Sequence, residues 1–142
     1  VGVFDKKLLK IFAKALSNLS IRYAWVVNSE DGMDEISPYA KTNVVQLKDG
    51  EISEIIIDPK KLNIGANKFD DLLGDDAKFN AKKIIDIFKG EDNDFSKAVC
   101  LNAAAALIVT ERNLKFKDAY ESARLHILSG KTFENLKNIQ NV

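Results

Sequence analysis

The chain has little that would serve as a staple, a charged tail or a membrane span. It holds one cysteine, Cys100, among apolar residues, so a disulfide framework is excluded and a reducing, cytoplasmic setting is expected. Its 21 basic and 21 acidic residues cancel, which leaves no basic field to recruit nucleic acid and no acidic tail. No apolar run approaches the roughly 18 residues that a membrane-spanning helix needs, and no signal-peptide pattern opens the chain. No partner of either class, nucleic acid or membrane, is therefore expected. No internal repeat or low-complexity segment is visible. What remains is 142 residues, 46% of them apolar, a domain-sized unit that buries about two-thirds of its unfolded surface.

The pattern along the chain is that of an α/β protein. Val1 to Phe4 is apolar, Asp5 is placed to cap a helix running to about Asn18, and Tyr23 to Val27 reads as a buried strand. Strand, helix and strand in that order make a βαβ unit with a parallel sheet and a right-handed crossover. On the helix, Leu8, Phe12, Leu16 and Leu19, with Ala15 beside them, are expected to face the core. Between Asn43 and Asp58, apolar runs flank Asp49-Gly50, a strong hairpin signal because a type I′ turn needs positive φ at both central residues. Lys60 to Phe79 shows no sustained periodicity and reads as loop with short helical turns.

The last third reads as helical. Ala81, Ile84, Ile85 and Phe88 form one stripe ended by Gly90. Residues from about Asp94 to Thr110 are apolar nearly all round, the mark of a buried helix. A further helix, about Lys117 to Leu128, carries Tyr120, Ala123, Ile127 and Leu128 on one face and stops at Gly130. Trp25 and Cys100 read as core.

The chemistry is concentrated in Asp31-Gly32-Met33-Asp34-Glu35-Ile36-Ser37, directly after the Tyr23 to Val27 strand. Ligands of open α/β sheets bind outside the carboxyl ends of strands. Mg²⁺ usually takes one or two carboxylates and fills its remaining positions with water and phosphate oxygens. Asp34 and Glu35 are the candidate metal ligands, whereas Asp31 belongs first to an Asp-Gly turn. Asn102, midway along the alanine-rich helix, must find hydrogen-bond partners and is expected to bridge to a neighbouring loop. His126 falls off the apolar face of its helix with neither cleft nor partner, and reads as solvated. The Lys60-Lys61 and Lys82-Lys83 pairs read as solvated faces. No catalytic residue and no organic cofactor site is assigned.

Taken in order, Gly2-Val3-Phe4-Asp5, the Asp31 to Ser37 run, Gly50-Glu51-Ile52, Ile57-Asp58-Pro59, Phe88-Lys89-Gly90, Leu101-Asn102-Ala103-Ala104-Ala105-Ala106-Leu107 and Ser129-Gly130-Lys131 are similar to the C-terminal part of the anthranilate phosphoribosyltransferase family. The resemblance covers nearly the whole chain. Asp31 to Ser37 and the Leu101 to Leu107 run are its most specific parts. One departure is local: Asn28-Ser29 stands where the family usually has His-Gly.

That resemblance implies a fold, an activity and a site. The fold is part of a mixed, mostly parallel sheet flanked by helices, like the catalytic domains of nucleoside phosphorylases and phosphoribosyltransferases. Residues 1–142 are its C-terminal portion, truncated at the N-terminus. The activity is transfer of the phosphoribosyl group of phosphoribosyl diphosphate to anthranilate in tryptophan biosynthesis, with Mg²⁺ held by Asp34 and Glu35 and holding the diphosphate in turn. The family's glycine-rich phosphate loop, its Lys-His-Gly-Asn-Arg segment and its helical N-terminal domain have no counterpart here, so the chain alone is expected to be inactive. The parent is expected to be a homodimer through that N-terminal domain. A non-catalytic or nucleic-acid-binding module sharing the fold is the alternative, disfavoured by the intact acidic pair and the neutral charge.

Overall fold

The computed structural model describes residues 1–65, 72–111 and 114–140. Asp5 accepts a hydrogen bond from the Lys7 amide at 2.9 Å and opens a 3₁₀ turn, Lys6–Leu8, that leads into helix α1, Leu9–Asn18. Strands β1 (Tyr23–Ser29), β2 (Thr42–Lys48) and β3 (Glu51–Ile57) follow, then helices α2 (Ala77–Phe88), α3 (Asp94–Thr110), α4 (Phe116–Leu128) and α5 (Lys131–Gln140).

The three strands form one sheet in the order β1-β2-β3, antiparallel throughout. The parallel pairing expected of the βαβ opening is present at the other edge of β1. There the Val3 amide donates to the Val27 carbonyl and the Val27 amide to the Val1 carbonyl, each at 2.9 Å. The sheet is therefore mixed, and among the described residues its parallel share is this one bridge. The antiparallel pairing of β1 with β2 goes beyond the sequence pattern, because residues 30–41 separate the two strands and hide the hairpin.

Alternation along β1 and β2 sends successive side chains to opposite faces. Trp25, Val27 and Val44 pack with Leu101, Ala104, Ala119, Tyr120 and Ile127 of α3 and α4. Val26 and Val45 pack with Val3, Leu9 and Ala13 on the α1 side. Helices thus cover both faces of the sheet at β1 and β2, whereas β3 is exposed at six of its seven residues. Trp25 is core as expected, stacked on Phe116 with ring centroids 6.0 Å apart. Asp49 and Gly50 have φ of +48° and +89°, the positive pair that the tight turn requires.

Several helix faces differ from the periodic reading. On α1 the buried residues are Leu9 and Ala13, with Leu16 beside them, whereas Phe12 and Leu19 are 41% and 73% exposed. Of the expected stripe, Leu8 and Leu16 do pack on this core, while Phe12 and Leu19 turn outward. On α2, Ile87 is buried and Ile84 is half exposed; the helix begins at Ala77, capped by the Asp76 carboxylate on the Phe79 amide. The expected loop from Lys60 to Phe79 is therefore shorter, and its residues 66–71 lie outside the described residues. Gly90 ends α2 with φ +100°, its amide bonding the Ile87 carbonyl while that of Glu91 bonds Asp86.

Helix α3 is apolar all round but not buried all round: Cys100, Leu101 and Ala104 are covered, while Val99, Ala106 and Thr110 are exposed. On α4, Ala119 joins Tyr120, Ala123 and Ile127 in the core and Leu128 is exposed. Helix α5 has no counterpart in the sequence pattern, since only Phe133 and Leu136 among its apolar residues are partly covered. Among the described residues no helix is long and apolar enough to cross a membrane.

Candidate metal-binding loop

Residues 30–41 leave β1 and return as β2, and their base is closed by the Glu30 amide on the Lys41 carbonyl at 2.9 Å. Gly32, with φ +92°, turns the chain so that the Ser29 amide bonds the Met33 carbonyl. Asp31 serves this turn. Its carboxylate accepts from the Met33 amide at 3.3 Å and from the Ser37 hydroxyl at 2.5 Å. Ser37 in turn accepts from the amides of Tyr39 and Ala40, and its own amide donates to the buried Thr42 hydroxyl at 3.1 Å.

Two further contacts hold the middle of the loop. A Cβ on Gly2 would lie 1.6 Å from the Asp34 carbonyl oxygen, so only glycine lets the N-terminal segment pass there. On the other side the Ile36 amide donates to Asn102 Oδ1 at 2.9 Å, and Asn102 Nδ2 donates to the carbonyls of Ile36, at 3.2 Å, and Ala98, at 2.9 Å. The bridge expected of Asn102 is thus formed, and its partner is the loop itself. Asn28, buried, donates to the Val3 carbonyl at 2.9 Å and so ties the N-terminal segment to β1, while the Ser29 hydroxyl donates to the Lys41 carbonyl at 3.3 Å.

Between these braces Asp34 and Glu35 are exposed. Both line a cavity of about 630 Å³ whose walls include Gly2, Trp25 and Val27 on one side and Ala105, Ala106 and Val109 of α3 on the other. The other lining residues are mainly apolar. Among the described residues no group of three or more His, Cys, Asp or Glu side chains is placed to hold a metal ion. A pair of exposed carboxylates on a braced loop still fits Mg²⁺, which takes one or two carboxylates and leaves its other positions to water and phosphate oxygens.

The remaining candidates fall elsewhere. His126 is exposed and lines a different groove, with Phe88, Leu107 and Ile127. Cys100 is buried and free, and desolvation pushes its thiol up to about 11, which leaves it an unreactive core residue. Desolvation likewise pushes the buried Tyr120 hydroxyl up to about 12. Lys82 pairs with Asp86, and Lys83 lies over the rings of Phe79 and Phe95. Lys60 and Lys61 are exposed.

Comparison with known proteins fits this architecture. Residues 1–133 match the glycosyl transferase family, a/b domain. The chain belongs to that family. It is 78% identical to the anthranilate phosphoribosyltransferase of Pelagibacter ubique (strain HTCC1062), a match that covers all of this chain and 43% of the relative. It is 41% identical to the anthranilate phosphoribosyltransferase of Methanosarcina acetivorans, over 99% of this chain and 38% of that one. The chain therefore spans about two-fifths of the length of the curated relatives it matches. The crystal structure of anthranilate phosphoribosyltransferase from Thermus thermophilus superposes with a TM-score of 0.86 at 25% identity, covering 96% of this chain and 40% of that one. The Saccharomyces cerevisiae anthranilate phosphoribosyltransferase in complex with PRPP and Mg superposes at 0.84 with 22% identity, over the same shares, and shows the common fold. The α/β fold expected from the sequence is that of these structures.

Proposed function

We propose that residues 1–142 form the metal-facing wall of a magnesium-dependent anthranilate phosphoribosyltransferase, which moves the phosphoribosyl group of phosphoribosyl diphosphate to anthranilate in tryptophan biosynthesis. The observation that carries this reading is 78% identity to an anthranilate phosphoribosyltransferase across all 142 residues. In it Asp34 and Glu35 hold Mg²⁺. When bound, the ion supplies positive charge opposite the departing diphosphate. The chain's own part is to present two carboxylates from a loop pinned by Gly2, Asn102 and Asp31, so that little ordering is left to occur when substrate arrives. The mainly apolar walls from β1 and α3 strengthen electrostatic contacts made beside them. A yeast enzyme of the same fold is in complex with PRPP and Mg, which supports the choice of ion and donor substrate. The whole protein is read as a cytoplasmic homodimer, joined through a helical N-terminal domain, with no nucleic-acid or membrane partner.

The test is a graft. The matching residues of the Pelagibacter ubique relative are replaced by this chain, and consumption of anthranilate with phosphoribosyl diphosphate and Mg²⁺ is followed. Turnover comparable to the unaltered relative is expected, as is rescue of a tryptophan auxotroph. The 142 residues alone present one wall, and one wall does not hold two substrates in attacking geometry, so no turnover is expected from them. A folded graft with no turnover, or turnover by the 142 residues alone, would overturn the assignment.

A further inference from the structure

The clasp between Asn102 and Ile36 is unusual in what it grips. One carboxamide engages both main-chain groups of a single loop residue, accepting from its amide at 2.9 Å and donating to its carbonyl at 3.2 Å. The second proton of the same nitrogen goes to the Ala98 carbonyl one turn back on α3, at 2.9 Å, which fixes the rotamer of Asn102 before the loop is considered. Ile36 is fully buried and follows Glu35 directly. The position of the acidic pair is thus referred to α3, a helix anchored in the core by Leu101 and Ala104, as well as to the loop's own Asp31 turn.

We infer that Asn102 is the positioning residue of the metal loop, holding the main chain at Ile36 so that Asp34 and Glu35 stand ready for one divalent cation. The inference rests on the proposed metal-binding role of that pair and adds the element that orients it. Residues that orient metal ligands from behind typically change metal affinity by about 10- to 100-fold when removed. Small misplacements of a ligand loop are costly because the carboxylates must meet the ion together. Asn102 borders the same cavity, but its carboxamide oxygen and both N–H protons are engaged by Ile36 and Ala98, so its removal should act on Mg²⁺ use and not on anthranilate.

The experiment uses Asn102→Ala and Asn102→Leu, the second filling nearly the same volume without polar atoms, in the graft and in this chain. In the graft the Mg²⁺ concentration for half-maximal rate should rise about 10-fold or more, with the KM for anthranilate unchanged. In this chain, hydrogen exchange of peptides covering residues 33–37 should speed up while α3 stays protected. Leu101→Val on the same helix, a buried apolar side chain with no hydrogen bond to give the loop, serves as the control for lost stability. If that control raises the Mg²⁺ requirement as much, or if both Asn102 variants stay within about twofold of wild type, a positioning role is overturned. Asp34→Asn with Glu35→Gln is measured in parallel. Should that pair titrate with Mg²⁺ like wild type, the metal site itself fails and the inference falls with it; should it lose the response while the Asn102 variants keep it, only the positioning role fails.

Discussion

Two Asp-Gly dipeptides follow two neighbouring strands of this sheet, and they do opposite things. After β2, Asp49-Gly50 makes the tightest return available: Lys48 pairs with Glu51 and both central residues take positive φ. After β1, Asp31-Gly32 begins an excursion through residues 30–41 before Thr42 pairs with Ser29. Both carboxylates brace their own turn, Asp49 through Arg22 and Tyr23, Asp31 through Ser37 and Met33. The difference lies in what comes next. Strand-forming residues resume at once after Gly50, whereas Met33-Asp34-Glu35 after Gly32 are followed by Ile36, Ser37 and Pro38, all buried. The same dipeptide therefore closes a hairpin where strand residues resume at once and opens a long loop where Asp34 and Glu35 precede a buried anchor.

The largest expected effect sets the acidic pair against the bracing acids. In the graft, Asp34→Asn with Glu35→Gln should lower turnover at limiting Mg²⁺ by about 100-fold or more, since several kcal/mol of leaving-group stabilisation depends on the ion. Part of the loss should return at high Mg²⁺, because substrate oxygens and water supply other positions. Asp49→Asn should leave the Mg²⁺ titration where it was. Equal losses from both changes would show that the pair acts through folding and not through the ion.

Next comes the contact that fixes the loop from the N-terminal side. Gly2→Ala sets a methyl 1.6 Å from the Asp34 carbonyl oxygen, far inside any non-bonded contact. Either the loop moves or residues 1–3 lift away from β1, giving up the burial of Val3 and the Asn28 bond. A cost of about 2–3 kcal/mol in urea denaturation is expected. An equivalent change at Gly50, where a Cβ meets no neighbouring atom, carries only the strain of its positive φ. Cost at Gly2 no greater than at Gly50 would break the claim that the N-terminal segment pins the loop.

How much of this the sequence disclosed depends on whether a signal was local. Asp49-Gly50 between alternating apolar residues is a local signal, and the hairpin followed from it. The acidic pair reads as an oxygen-only donor set from its place just past a strand end, where the structure exposes it. The need of Asn102 for partners was legible in the same way as the hairpin. The identity of its partner was not, because Ile36 lies 66 positions away in sequence. Helix α1 was half legible for a physical reason: Leu8 and Leu16 meet the core but Phe12 and Leu19 do not, because its apolar residues spread over two sides and period alone does not say where the sheet lies. Leu9 and Ala13 won because Val26 and Val45 offer them a close surface. Helix α5 escaped notice because its apolar residues are too few to make a stripe.

A matched pair of glycine substitutions tests the turns directly. Gly32→Ala and Gly50→Ala each force a Cβ into φ near +90°, with open space around it, so each should cost about 1–2 kcal/mol. The location of the damage should differ. Gly50→Ala should destabilise the whole domain, because β2 and β3 register through that turn. Gly32→Ala should speed hydrogen exchange in residues 30–37 with less effect on the global unfolding midpoint. If Gly32→Ala shifted the global midpoint as strongly, the loop would be part of the cooperative core and not an excursion from it.

The smallest effects come from the bracing carboxylates themselves, and they separate the two turns most finely. Asp31→Asn keeps one acceptor oxygen but sets an amide N–H₂ near Ser37 Oγ. Ser37 cannot simply reverse its role, since its oxygen already accepts from the amides of Tyr39 and Ala40. Its proton is left without the carboxylate that received it at 2.5 Å. Loss of a charge-assisted bond in this part-buried network should cost about 1 kcal/mol. Asp49→Asn weakens an ion pair with Arg22 whose side chains are 69% and 45% exposed. Water screens such a pair, and the substituted side chain keeps an oxygen that can still accept from Arg22 or Tyr23, so a smaller shift of the urea midpoint than at Asp31 is expected from the change. Comparing urea midpoints of the two variants, with hydrogen exchange to locate the change, checks the order. A larger cost at Asp49 would mean that the tight turn leans on its carboxylate more than the long loop does, and the contrast between the two Asp-Gly turns would have to be drawn the other way.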